Sequence, residues 1–237
     1  GHAKAKCHRA DRMTGEIAGG RVDRAGNGEN CGRWKHAIMG VDGKRIVLAR
    51  TFGGFGDSRV FERNLATNTT QIIGQDFSAV SPYSMSADGN LVAYTAFSNG
   101  ARNAFVRNMS AGTVPLGSVS SDGISSGNGD CTDLAISADG NVVAFTSYAT
   151  NLTSVPDTNG SSDVFARNLT TNTTTLVSIN STGTATGSGT SGSLGSFGPV
   201  ISADGKIVAF TSFATDLQSV VPDTNGQTDV YARNLST

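Results

Sequence analysis

Residues Ile201–Leu235 read ISADGKIVAFTSFATDLQSVVPDTNGQTDVYARNL, and Ile136–Leu169 read ISADGNVVAFTSYATNLTSVPDTNGSSDVFARNL. Two looser versions stand before them, Met85–Met109 (MSADGNLVAYTAFSNGARNAFVRNM) and Met39–Leu65 (MGVDGKRIVLARTFGGFGDSRVFERNL). A unit copied along a chain decides the architecture before any local reading, because one unit cannot bury its apolar face alone and neighbours must stack on it.

Each copy divides into strand-like pieces. A short apolar run (Lys35–Gly40, Tyr83–Ser86, Leu134–Ser137, Val200–Ser202) leads to an Asp-Gly pair at Asp42, Asp88, Asp139 and Asp204. Gly there takes the positive φ that a tight hairpin needs. The second run (Lys44–Phe52, Leu91–Phe97, Val142–Tyr148, Ile207–Phe213) is almost continuously apolar, as suits a strand covered on both faces. The third (Arg59–Leu65, Asn103–Met109, Asp163–Leu169, Asp229–Leu235) alternates, and a TNTT-type turn leads to a fourth at Thr70–Gly74, Thr113–Val119 and Thr174–Ile179. No helical periodicity interrupts this. The uneven spacing of the Asp-Gly pairs comes from Gly/Ser/Thr-rich joins, Ser120–Asp130 and Asn180–Phe197, read as loop.

Four strands in roughly 40–50 residues is the period of a β-propeller. The expectation is an all-β propeller of four-stranded antiparallel blades, four to five in number with partial ones at the two ends. As one domain over 1–237, it divides into a partial blade at 1–24, full blades at 25–74, 75–120 and 121–180, and a blade without its outer strand at 181–237. Cys7–Val22 aligns with a third and fourth strand. It either lends the last blade its outer strand or belongs to a longer ring, and open edges of this kind also suit self-association between chains.

The pattern S-A-D-G-x-x-V-A-F-T-S followed by D-T-N-G-x-x-D-V-[FY]-A-R-N-L resembles the TolB-type β-propeller repeat, the PD branch of the WD-like repeats. The resemblance implies antiparallel blades around a central channel and a bacterial envelope setting, periplasmic or secreted. It implies no single activity, since such propellers serve as binding scaffolds, as partners of other proteins and as companions of hydrolases.

Composition narrows the function. A net charge of -1 argues against nucleic acid as a partner, and no apolar run approaches the roughly 18 residues of a membrane span. Three cysteines, Cys7, Cys31 and Cys131, have no metal-ligand spacing; they are read as thiols, or with one disulfide, Cys7–Cys31 or Cys31–Cys131, in an oxidising compartment. His2, His8 and His36 are scattered, and neither GxSxG nor HExxH occurs.

In a propeller the joins between second and third strands open on the same rim as the joins between blades, with the Asp-Gly turns opposite, so that loop-rich rim is the expected functional face. Its sharpest candidates are the two loops Asp157, Asn159, Ser161, Asp163 and Asp223, Asn225, Gln227, Asp229. Oxygen-bearing side chains around a Gly resemble the start of a Ca²⁺ loop, without the bidentate Glu that completes an EF-hand. The competing reading is a metal-free turn in which the first Asp caps backbone N–H groups. The second copy ends in Asn103 and the first in Arg59, so neither is expected to bind metal. Trp34, Phe77, Tyr83 and Phe197 precede first strands on the same rim and could stack on sugars or anchor a protein, with core or channel packing as the alternative. Glu29 with Asp130, Asp133 or Asp76 could form a carboxylate pair near the channel mouth for glycoside hydrolysis or lyase chemistry, or these could stand as solvated loop acids. Arg63, Arg107, Arg167 and Arg233 recur before Asn, read as structural ties with a ligand-binding ring as the alternative. The expected function is a non-catalytic scaffold presenting one rim to a protein or polysaccharide. Its rivals are a carboxylate enzyme and a strand-exchanging assembly subunit.

Overall fold

The Asp-Gly pairs close hairpins through one repeated device. In Ser137–Val142 the Ser137 N–H donates to the Val142 carbonyl at 2.9 Å and the Gly140 N–H to the Ser137 carbonyl at 3.0 Å, with Gly140 at φ 77°. The Ser137 hydroxyl donates to Asp139, whose Oδ1 accepts the Asn141 N–H at 2.9 Å. The same Ser–Asp bond recurs at Ser86–Asp88 and Ser202–Asp204. Backbone and side chain together satisfy every donor the turn turns inward.

In a computed structural model describing residues 33–51, 58–74, 83–188, 195–219, 223 and 225–236, these hairpins build four sheets. Blade 1 contains β1 (Arg33–Met39), β2 (Arg45–Thr51), β3 (Ser58–Asn64) and β4 (Thr69–Gly74). Blade 2 contains β5 (Tyr83–Met85), β6 (Leu91–Ser98) and β7 (Ala101–Asn108). Blade 3 is β8 (Cys131–Ile136), β9 (Val142–Ser147), β10 (Asp163–Asn168) and β11 (Thr173–Leu176). Blade 4 is β12 (Ser196–Ile201), β13 (Ile207–Ser212) and β14 (Asp229–Asn234). Neighbours in sequence pair antiparallel in each sheet, and no helix occurs among the described residues. The chain is an all-β propeller of antiparallel blades. The N-terminal piece, with Cys7 and Cys31, lies outside the described residues.

One expected strand is looser than its sequence suggests. Thr113–Val119 runs along β7, with the Asn108 and Val106 N–H groups donating to Thr113 and Pro115, yet it forms only an isolated bridge at Phe105–Leu116. Pro115 has no N–H to return, which breaks the ladder.

Second strands carry the core. Val92, Val143 and Val208, equivalent in blades 2 to 4, are fully buried, and in blade 1 the fully buried valine is Val47, one place further along β2. Blade 2 meets blade 3 through Ala93, Ala104 and Val106 against Leu134, Val143, Phe145 and Phe165. Blade 3 meets blade 4 through Ala144, Val164 and Ala166 against Val208 and Phe210. First strands touch in series, β1 with β5, β5 with β8 and β8 with β12, so they lie innermost.

The Asp-Gly turns are also linked to one another. The Val41 N–H donates to the Ala87 carbonyl at 3.0 Å, the Ala87 N–H to Ala138 at 2.9 Å and the Asp139 N–H to Ala203 at 3.3 Å. Each turn glycine then sits on the blade before it: a Cβ at Gly89, Gly140 or Gly205 would stand 3.1 Å from Arg45 Cδ, 2.6 Å from Leu91 Cδ1 or 2.9 Å from Val142 Cγ2.

Candidate functional site

The opposite rim is made of two interlocked loop systems. Ser120–Ser125 folds into a small hairpin closed by Ser120 N–H to Ser125 O at 2.9 Å and Gly127 N–H to Ser118 O at 2.8 Å; Asn180–Ala185 repeats it. Each leans on the second-to-third strand loop of the following blade. The Ser121 N–H donates to the Asn151 carbonyl at 2.7 Å and the Ser181 N–H to the Asp216 carbonyl at 2.8 Å. Asn128 then bonds both ways across the gap, its N–H donating to Asn151 Oδ1 at 3.0 Å and its Oδ1 accepting the Thr150 N–H at 2.8 Å. No room is left underneath: a Cβ on Gly187 would stand 2.6 Å from Leu217 Cδ2 and 2.8 Å from Ala214 Cβ. Gly127 meets Leu152 and Ala149 in the same way. Over their described residues these joins are therefore fixed structure, where the sequence suggested plain loop. The signal was available in S-S-D-G-I-S-S-G against N-S-T-G-T-A-T-G, a second repeat inside the first.

The blade 3 DTNG loop sits against this join. Asp157 Oδ1 accepts the N–H groups of Asn159 and Gly160 at 3.1 and 3.0 Å, and Asn159 Oδ1 accepts that of Ser161 at 2.7 Å. Asn159 Nδ2 donates to the Gly187 carbonyl at 2.7 Å and the Thr158 N–H to Thr186 Oγ1 at 3.1 Å. Asp163 opens β10, is buried, and accepts a bond from Ser178 Oγ at 2.7 Å. Burial pushes its carboxyl up to about 7, opposed by the Ser178 hydroxyl and reinforced by the charge of Asp157. In blade 2 the equivalent Asn103 takes the matching bond from Ser118 Oγ at 2.9 Å. In blade 4 the loop keeps its own turn, with Asp223 Oδ1 accepting Asn225 N–H at 2.9 Å and Asn225 Oδ1 accepting Gln227 N–H at 2.6 Å. Asp223, Asn225, Asp229, Tyr231 and Arg233 instead line a cleft of ≈ 490 Å³. That cleft lies where β11 and the join stand in blade 3, and buried Asp223 Oδ2 has no hydrogen-bond partner among the described residues.

Innermost strands carry a bulge near this rim. The register slips between Trp34 and His36 in β1, Cys131 and Leu134 in β8, and Phe197 and Val200 in β12. Trp34 borders the slip in β1, Asp133 lies within that in β8 and Phe197 borders that in β12, so the three occur at the corresponding irregularity of three first strands. Phe197 is half-buried with its ring 6.4 Å from that of Phe213. Asp133 is half-buried and accepts a bond from Thr132 Oγ1 at 3.3 Å. Asp130 is exposed, with Oδ1 accepting the Arg102 N–H at 2.7 Å. Tyr83 is not on the rim surface: it is buried between blades 1 and 2. Phe77, Glu29 and Asp76 lie outside the described residues. Cys131 is a free, buried thiol whose pKa burial raises.

Three of the four recurrent arginines, Arg63, Arg167 and Arg233, tie third strands to neighbouring chain. Arg63 donates to the Asn68 carbonyl at 2.8 Å, Arg167 to Thr174 Oγ1 and Asn172 Oδ1 at 3.2 Å each, and Arg233 to the Ile179 carbonyl at 2.8 Å. The Asn that follows closes the next turn: Asn168 Oδ1 accepts the N–H groups of Thr170 and Thr171 at 2.9 Å each.

No family model matches this chain, and no curated protein does. Among solved structures it is similar to TolB from Acinetobacter baumannii, at 18% identity and a TM-score of 0.54, over 87% of this chain and 42% of that one. It is similar to a putative TolB from Agrobacterium tumefaciens at 15% and 0.52, over 83% and 60%, and to Porphyromonas gingivalis dipeptidyl peptidase 4 at 15% and 0.55, over 86% and 25%. The chain thus has a TolB-like β-propeller fold and spans roughly half the length of the TolB structures.

Proposed function

We propose that this protein is a non-catalytic binding scaffold of the periplasm or the extracellular space, presenting its join-bearing rim to a protein or polysaccharide. The observation that supports it most is the interlocking of that rim: joins and second-to-third loops fastened by repeated backbone bonds make a rigid, polar surface around the bulged strands carrying Trp34, Asp133 and Phe197. Pre-ordered loops lose little entropy on binding, which is what a recognition surface requires. Among the described residues no helix is long and apolar enough to cross a membrane. The test is binding to a panel of envelope polysaccharides and envelope proteins. Asn128→Arg and Thr150→Arg on the rim abolish the interaction, and Lys44→Glu on the opposite face leaves it intact. Conversion of a bound oligosaccharide to products, lost in Asp133→Ala, assigns a carboxylate enzyme instead.

A second reading adds Ca²⁺ held by Asp157, Asn159 and Asp163, and by Asp223, Asn225 and Asp229. It is favoured by the mutual repulsion of Asp157 and Asp163, which a divalent cation relieves. Ser161 and Gln227 would help hold the loops in shape. The expected result is an EGTA-sensitive rise in melting temperature, lost in Asp163→Asn; no calorimetric heat on adding calcium removes this reading.

A further inference from the structure

The three blade-to-blade contacts in this chain use the same parts, and the two outer blades each display one half of a fourth. The forward half is on blade 4. Ile207 and Val230 are 48% and 77% exposed, while their equivalents in blade 3, Val142 and Val164, are 7% and 0% exposed under blade 4. Val41 and Ala87 donate their N–H groups to the next turn and in blade 3 the Asp139 N–H does so, whereas neither the equivalent Ala203 N–H nor that of Asp204 reaches a backbone acceptor among the described residues. The receiving half is on blade 1. Met39 is 61% exposed where the equivalent Ile136 of blade 3 is 6% exposed. A Cβ on Gly43 would meet nothing within 4 Å, whereas Gly89, Gly140 and Gly205 each sit on the preceding blade. The Val41 carbonyl accepts no described backbone donor, although its equivalents Ala87, Ala138 and Ala203 all do.

We infer that blade 4 of one copy of this chain docks on blade 1 of a second copy, head to tail. This extends the series of turn-linked blades across the two molecules. Gly43 of the second copy seats on Ile207, its Val41 carbonyl accepts the Ala203 N–H, and its Met39 face covers Val230. The contact continues one the chain already makes three times, and a second copy supplies every missing part at once. It is heterologous, joining different surfaces of the two copies, so each molecule keeps one further end for another such contact or for ring closure. Burying two apolar faces of this kind supplies the driving force.

Sedimentation of the full chain tests this with Val230→Lys on the forward face and Met39→Lys on the receiving face. Both positions are exposed in the single chain, so each variant keeps the wild-type melting temperature under dilute conditions, and that measurement checks folding. The wild type associates with rising concentration, each variant alone loses the association, and an equimolar mixture of the two restores a one-to-one dimer, because one intact head meets one intact tail. The inference is overturned by a wild type that is monomeric at every soluble concentration, which would mean that another protein or another segment of this chain covers the face. It is equally overturned by a variant that still associates alone, as pairing of like faces would give, or by a mixture that stays monomeric.

Discussion

Asp163 is where the repeat chooses between two chemistries. The position takes a bond from the outer-strand serine in blades 2 and 3, and the chain fills it with neutral Asn103 in one and with a carboxylate in the other. Well below the ordinary value of 3.8 the Asp163 carboxyl is protonated in folded and unfolded chains alike. As pH rises toward about 7 the unfolded chain gives up its proton while the folded one retains it, so stability falls across that interval. Asp88 and Asp204 act in the opposite sense: the Ser86 and Ser202 hydroxyls hold them below the usual range, and their contribution is lost in acid. Metal-free wild-type protein should therefore melt highest in mildly acidic buffer. Asp163→Asn should flatten the decline toward pH 8 and gain on the order of a few kcal/mol there; an unchanged pH profile contradicts the burial argument. The sequence shows the aspartate and its place in the repeat. It hides Ser178, a strand away, because a lone Ser in a Thr-rich run has no pattern of its own.

At the scale of elements, the joins are the lesson. Their Gly/Ser/Thr composition reads as slack, yet Gly127 and Gly187 occupy sites where a single methyl would overlap Leu152 or Leu217. Gly187→Ala should destabilise by about 1–3 kcal/mol through overpacking, and Leu217→Ala in the same chain should return part of that loss by opening space. A neutral Gly187→Ala in denaturant melts would mean the join is not seated. First, second and third strands are legible in the sequence of each described blade, since alternation and Asp-Gly turns are local signals. Thr113–Val119 was overread for a local reason too: β-branched residues suggested a strand, and Pro115 denies it a donor. The roles of Asn64, Asn108 and Asn168 do not show in the sequence, where each stands as one more polar residue at the end of a third strand. Their side chains cap the turn two and three residues on.

For the whole molecule, repetition made the architecture readable and left the contacts between blades unread, since those depend on which residues meet across the stack. The opposition of the two rims follows from strand alternation alone. The turn-to-turn hydrogen bonds linking Val41, Ala87, Ala138 and Ala203 do not, and they are what makes four sheets one arc. Amide hydrogen exchange at these positions measures that arc most directly. In dilute monomer the Val41, Ala87 and Asp139 amides should exchange slowly and the Ala203 amide fast, with Ala203 becoming protected as concentration rises. Rapid exchange at Val41 and Ala87, or equal protection of Ala203 in the monomer, would contradict the account.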